Sequence, residues 1–321
     1  VDMNLLMITI YSVASLGALL LVVMYTIYFE RKVIGFMQVR IGPNRHGWKG
    51  LLQSPADVMK LMLKEDIIPA NVDRNIFLIA PIIAFAPSFM VLATIPWSER
   101  LTGADLNVGV LYFVGVSSIT TIGILMGGWS SNNKYSLLGA MRGVAQMISY
   151  EIPLVMSIIG VVILAGSLNL REIVLAQQTM GVWFIIPQFL AFVVYMIAAV
   201  AELNRSPFDL PEAESELVSG YHTEYTGFRM AFFFLAEYVY AIAIAALATT
   251  LFLGGWLGPA FLPGIVWFFL KMSLFVFVFF WLRATMPRAR VDQLMTFGWK
   301  VLIPLALLNI VITAVVKAWM G

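Results

Sequence analysis

Eight stretches of mostly apolar residues follow one another along the chain, most of them about twenty residues or longer. That is the length a helix needs to cross a hydrocarbon core roughly 30 Å thick. They fall at 5–29, 76–97, 108–129, 144–167, 181–201, 229–254, 263–282 and 298–319. Continuous runs such as Val276-Phe277-Val278-Phe279-Phe280-Trp281 lack the alternation of an outer-membrane barrel strand. The expected fold is therefore all-α: a polytopic membrane bundle of about eight transmembrane helices, forming a single integral membrane domain over 1–321. Composition agrees, because 61% of residues are apolar and only 12% are charged, half the charge of an ordinary soluble domain.

Orientation follows from lysine and arginine, which short loops retain on the cytoplasmic side. The loops 30–75, 130–143, 202–228 and 283–297, with the first residues of the helices that follow them, hold sixteen of the twenty basic residues. Arg100, Arg171 and Lys317 lie on the other side, so both termini are expected outside the cytoplasm. Val1-Asp2-Met3-Asn4 carries no basic cluster, and the first run is read as a retained anchor rather than a cleaved signal. In the loop 30–75, Leu51, Pro55, Val58, Met59 and Met62 share one helical face, with Asp57, Lys60 and Lys64 on its flank. This predicts a cytoplasmic amphipathic helix, lying either in the headgroup layer or beneath the bundle as a docking surface.

Ionisable groups within apolar runs are costly and point to ion paths or buried pairs. Glu151, Glu237 and Lys271 meet that description; static pairing or snorkelling to the interface is the bland alternative for Glu151 and Lys271. A second concentration runs from Glu202 through Asp209, Glu212, Glu214 and Glu216 to Glu224. Glu212 and Glu216 stand at i,i+4, so ionisation of one disfavours ionisation of the other. Carboxylates tuned in this way can relay protons, and the interleaved Pro207, Phe208, Leu210 and Pro211 suggest a packed rather than a solvated loop. With no cysteine, the chain has no thiolate ligands for zinc or iron–sulfur clusters. His46 and His222 are isolated, and no metal site is expected. A net charge of +2 predicts no nucleic-acid partner.

Several segments together resemble one family, the quinone-module membrane subunit at the heel of NADH:quinone oxidoreductase, respiratory complex I. They are Glu30-Arg31-Lys32, Gly35-Phe36-Met37-Gln38-Val39-Arg40-Ile41-Gly42-Pro43-Asn44, Gly50-Leu51-Leu52-Gln53 with Asp57 and Lys60, and Ser149-Tyr150-Glu151. Further along come Ala201-Glu202-Leu203-Asn204-Arg205-Ser206-Pro207-Phe208-Asp209, Glu212-Ala213-Glu214-Ser215-Glu216-Leu217 and Pro287-Arg288-Ala289-Arg290-Val291-Asp292-Gln293-Leu294. The chain departs from the family's pattern at His46-Gly47-Trp48-Lys49 and at Ala289 and Val291.

The resemblance implies a subunit that binds no cofactor by itself, takes quinone as substrate, and sits beside partners carrying flavin and iron–sulfur clusters. Membrane-arm and peripheral quinone-module subunits, lipid and quinone are the implied partners. Arg31, Arg40, Asp57, Phe234, Arg283, Arg288 and Arg290 match the quinone tunnel. Glu151, Glu202, Asp209, Glu212, Glu214, Glu216, Glu224 and Glu237, with Lys271, match the coupling path for proton translocation. A bacterial inner membrane is the expected location, with an organelle membrane as the alternative. Two other readings are the anchor subunit of an energy-converting hydrogenase or related ferredoxin- or deazaflavin-dependent complex, and a stand-alone secondary transporter. The transporter predicts internal repeats, and none is evident.

Overall fold

A computed structural model describes residues 5–211, 214–259 and 261–320. Its helices are α1 (Leu5–Met37), α2 (Gln53–Leu63), α3 (Arg74–Met90), α4 (Gly109–Ser130), α5 (Lys134–Ala165) and α6 (Leu170–Met180). They continue as α7 (Phe189–Glu202), α8 (Glu214–Leu217), α9 (Gly227–Phe252), α10 (Gly264–Thr285), α11 (Val291–Phe297) and α12 (Ile303–Met320). A π-helical stretch Gly298–Leu302 joins the last two into one continuous rod. The fold is an all-α membrane bundle, and seven helical stretches among the described residues are long and apolar enough to cross a bilayer.

The helix α9 is the hub. Its middle, Ala241-Ile242-Ala243-Ile244-Ala245-Ala246-Leu247-Ala248, is buried along its whole length. Small side chains let neighbouring backbones approach closely where lipid offers no hydrophobic drive to associate. The helices α3 and α10 pack directly on α9, and α5 packs on α4, α7 and α12. By contrast α1 and α12 lie at the periphery, with faces such as Tyr11, Val13 and Leu21 or Val311, Ile312 and Val315 exposed.

The span predicted at 181–201 differs. Only its part from Phe189 onward is helical, in the 14-residue α7, roughly 21 Å at 1.5 Å per residue, which is shorter than the hydrocarbon core. Gly181 ends α6 in the left-handed region at φ +67°, and Pro187 disfavours a helical residue before it. The intervening backbone is satisfied by other partners: Phe184 N donates to Gln177 Oε1 at 3.1 Å and Ile185 N to the Phe252 carbonyl at 3.0 Å. Two boundaries also move. The first helix continues two turns past residue 29, and α5 begins at Lys134 rather than at 144, so both carry polar residues well beyond their apolar runs.

The amphipathic helix expected in the first loop is present as α2, which packs on α1 and α9. Before it, Gly50 at φ +84° turns the chain against the Pro43 carbonyl, where an added Cβ would stand 2.2 Å from the oxygen. Only glycine closes this turn without displacing the 42–44 backbone.

Lys271 is inside the seventh predicted span, as expected, yet it meets no carboxylate among the described residues. Its Nζ donates to the carbonyls of Leu253, Gly255 and Leu257 at 2.6, 3.1 and 2.5 Å, and it lies 4.6 Å from the Trp183 ring centroid. These carbonyls follow the C-terminus of α9, where a cation complements the helix dipole and satisfies acceptors that have no intrahelical donor.

Candidate functional site

Loop 203–211 follows α7 and is drawn into the bundle by Gln146 on α5. Its Nε2 donates to the carbonyls of Ala201 and Phe208 at 2.6 and 2.8 Å and to Asn204 Oδ1 at 3.1 Å. Pro211 then seats against the helical glycines Gly139 and Gly143, where a Cβ would find other atoms within 3.1 Å. The result is a packed loop, which holds Arg205 only 3% exposed.

Around Arg205 the structure assembles a buried ion cluster. Its Nη1 is 2.7 Å from Glu30 Oε1, and its Nε is 2.5 Å from Glu237 Oε1. Arg283 Nη1 also reaches Glu30 Oε1. Tyr238 donates its hydroxyl to Glu30 Oε2 at 2.5 Å while its ring faces the Arg205 guanidinium at 4.5 Å. Two arginines and two glutamates share this space, so the cluster is neutral when all four are ionised. Burial opposes the charge on Arg205, but the carboxylates of Glu237 and Glu30 outweigh it and raise its already high pKa. An ion pair taken out of water persists only when such partners compensate the desolvation.

Glu202 closes α7 as a second buried acid. Tyr240 donates to its Oε1 at 2.5 Å, while its Oε2 is buried with no protein donor among the described residues. One cavity of about 30 Å³ touches Glu202, Asn204, Glu237 and Tyr240, with room for about one or two water molecules. Glu151 accepts from Ser118 on α4 and lies near enough for its charge to be felt at Glu202. Three expected acids, Glu151, Glu202 and Glu237, therefore gather around one part of the bundle.

Other expected residues are placed elsewhere. Glu224 accepts from Asn133 Nδ2 at 2.6 Å, and Asp209 pairs with Arg288 Nη2 at 2.9 Å. The side chain of Glu216 is 53% exposed and pairs with Arg142 at 2.7 Å, so this member of the expected acidic cluster meets water and an arginine. Glu212 lies outside the described residues, and Glu214 is described only as the first residue of α8.

Among the expected tunnel residues, Arg31 and Arg40 line one open groove of about 490 Å³ together with Ile34 and the Ile41–Pro43 turn. Asp57 on α2 holds Arg31 at 2.5 Å and accepts from Gln53 at 3.1 Å. Arg283 joins the ion cluster and not this groove. The Phe234 ring stands edge-on to His222, 5.5 Å between centroids. Arg290 is exposed and sits 3.3 Å from Asp292.

His222 is buried between the rings of Tyr221 and Phe234, and that burial pushes its imidazole down to about 4. It is neutral in the fold. Between about pH 4 and 6.5 the unfolded chain binds a proton that the folded chain refuses, so stability falls as pH drops through that window. Thermal unfolding of the detergent-extracted protein should show this loss between pH 6.5 and 4, and His222→Gln should flatten it. An equal slope in both proteins would remove His222 as the cause.

Glu30, Arg205, Tyr238, Tyr240 and Gln146 were not among the expected site residues. A signal existed for Arg205, as the only cation within a segment of six carboxylates from Glu202 to Glu224. Tyrosines in an apolar helix carry no comparable mark.

A family model described as NADH dehydrogenase matches residues 10–314. Curated relatives are similar over almost their whole length. The chain is 64% identical over 314 residues to an NADH-quinone oxidoreductase subunit of Geobacillus kaustophilus, covering 95% of this chain and 94% of that one. It is 60% identical over 314 residues to the protein of the same name in Brevibacillus brevis, covering 97% and 93%. With its namesake in Anoxybacillus flavithermus it shares 62% over 319 residues, covering 97% and 95%.

Proposed function

Because the chain belongs to the NADH dehydrogenase family of NADH-quinone oxidoreductase subunits, as an integral membrane component of an oxidoreductase complex, we propose that it couples quinone reduction to proton translocation. In this reading it lies in the bacterial inner membrane with both termini outside. The groove at Arg31 and Arg40 forms part of the wall along which quinone moves between bilayer and peripheral partners. Those partners hold the flavin and iron–sulfur clusters, and a chain without cysteine contributes no thiolate to them. The quinone in the relatives' name favours this enzyme over the ferredoxin-linked and hydrogenase alternatives.

Reduction of a quinone to a quinol takes two electrons and two protons. The electrons come from the partners, while the buried acids of this chain respond to the charge and proton demand. The single observation that carries the reading is the cavity shared by Glu202, Glu237 and Tyr240 deep among apolar helices. A bundle serving only as an anchor gains nothing from such acids, since each costs free energy to bury. A water molecule in that cavity could exchange protons with either carboxylate. Glu151 beyond Glu202 extends the path toward neighbouring membrane subunits.

The groove has its own test. In Arg31→Gln, the loss of a cation facing the quinone carbonyl should raise the quinone KM by about tenfold, the scale of one charged hydrogen bond. Reduction of a hydrophilic acceptor, which bypasses the groove, should be unchanged. An unaltered KM in the assembled complex removes Arg31 from the passage.

A further inference from the structure

The cavity beside Glu202 takes its two glutamates from α7 and α9, whereas α3, α4 and α5 contribute Ala84, Thr120, Ile124 and Met147. Thr120 carries the hydroxyl of that otherwise apolar wall, and it is only 6% exposed. A threonine inside a helix commonly returns its hydroxyl to the carbonyl one turn back. Thr249, Thr250 and Thr313 do so, and on α4 itself Ser117 and Ser118 both donate to the Val114 carbonyl. Thr120 Oγ1 does not; it is buried without a partner among the described residues. Glu202 Oε2 is in the same position, and both residues line the same small cavity. Two buried polar atoms left open around a space of about 30 Å³ are the setting in which a protein binds a water molecule, because an unsatisfied buried group is costly.

We propose that Thr120 is a positioning residue, holding a water molecule in this cavity as the bridge over which a proton passes between Glu237 and Glu202. The proposal rests on the coupling function above and names the group that orients its proton step. The Thr120 hydroxyl donates to the water oxygen, which turns the water protons away from α4 and toward the carboxyl groups. A proton leaving the Glu237 carboxyl joins the water oxygen as one of the water's own protons passes to Glu202 Oε2. At each transfer one O–H bond breaks and one forms, and the water is restored. Tyr240 already donates to Glu202 Oε1, so Oε2 is the oxygen left open to the water. Thr120, Glu202 and Glu237 together supply three polar partners, as many as a buried water typically has.

The experiment compares quinone reduction by the assembled complex in ordinary and in heavy water. Thr120→Val keeps the shape of the side chain and removes its hydroxyl. The rate should fall about fivefold, the scale of one lost hydrogen bond, and the solvent isotope effect should rise because the proton step then limits turnover. Thr120→Ser keeps the hydroxyl and should recover most of the rate with the ordinary isotope effect. Reduction of a hydrophilic acceptor checks assembly. An unchanged rate in Thr120→Val overturns the proposal, and so does a fall in rate without a rise in the isotope effect, which marks a packing role. Equal losses in the Ser and Val variants overturn it as well. If Thr120→Val does not assemble, Thr120→Cys decides, because a thiol fills the same place but bonds water weakly. Its isotope effect should rise too, and an ordinary one overturns the proposal. Glu202→Gln separates this failure from that of the coupling function. If it stops translocation while Thr120→Val costs nothing, only the role of Thr120 is lost. If Glu202→Gln changes neither rate nor translocation, the coupling function falls and this role falls with it.

Discussion

Membranes from cells carrying Arg205→Met should contain little or none of this chain in assembled complex, and their NADH–quinone activity should fall accordingly. The substitution leaves Glu30 and Glu237 buried, with Arg283 alone to offset them. Breaking a buried pair by removing one partner costs about 3–5 kcal/mol, a large part of the roughly 5–15 kcal/mol that typically holds a domain together. Tyr238 would also lose the cation on its ring face. Arg205→Lys should be intermediate, because an ammonium keeps the charge but lacks the planar fork that reaches both acids. Adding Glu30→Gln to Arg205→Met should recover part of the assembly by removing one orphaned charge. Immunoblots of membranes separated under native conditions check the series. Normal assembly of Arg205→Met would show that the cluster contributes little to the fold.

Glu202→Gln should instead assemble normally and fail in turnover. Glutamine matches the shape of the acid and can still accept from Tyr240, so packing at the end of α7 is kept. It cannot take up or release a proton at the cavity. Loss of a positioned proton-transfer group typically costs about 10²–10⁴-fold, and a fall of at least about tenfold in coupled quinone reduction is expected. Hydrophilic-acceptor reduction should persist, since it needs only the peripheral partners. Tyr240→Phe should act in the same direction by a smaller factor, because it leaves the carboxyl in place and removes only its 2.5 Å hydrogen bond.

Apolar run length and charge placement made most of the bundle legible. Glu151 and Glu237 stand out because an acid inside an apolar run has few innocent explanations; in the structure Glu237 lines a cavity with Glu202, and Glu151 accepts from Ser118 near enough for its charge to act on Glu202. Glu30 was hidden by its neighbours. Followed directly by Arg31 and Lys32, it looked like the start of a cytoplasmic charged band, whereas α1 continues to Met37 and turns Glu30 inward. Lys271 showed the opposite limit. Its depth was readable, but its acceptors are backbone carbonyls after α9, and main-chain groups leave no trace in residue identity. The short α7 has a similar cause, because hydropathy does not distinguish an apolar irregular segment held by Gln177 and Phe252 from a helix. Pairings such as Arg205 with Glu30, 175 positions apart, arise only when distant helices meet.

We propose that buried carboxylates of this chain tie quinone reduction to proton movement, and the ratio of protons translocated to electrons delivered to quinone, measured in sealed vesicles containing the complex with the unaltered chain or with Glu202→Gln, tests this. We expect the residual electron flow in the variant to carry little or no proton movement, with hydrophilic-acceptor reduction intact. Full quinone reduction with an unchanged ratio in Glu202→Gln would contradict the account.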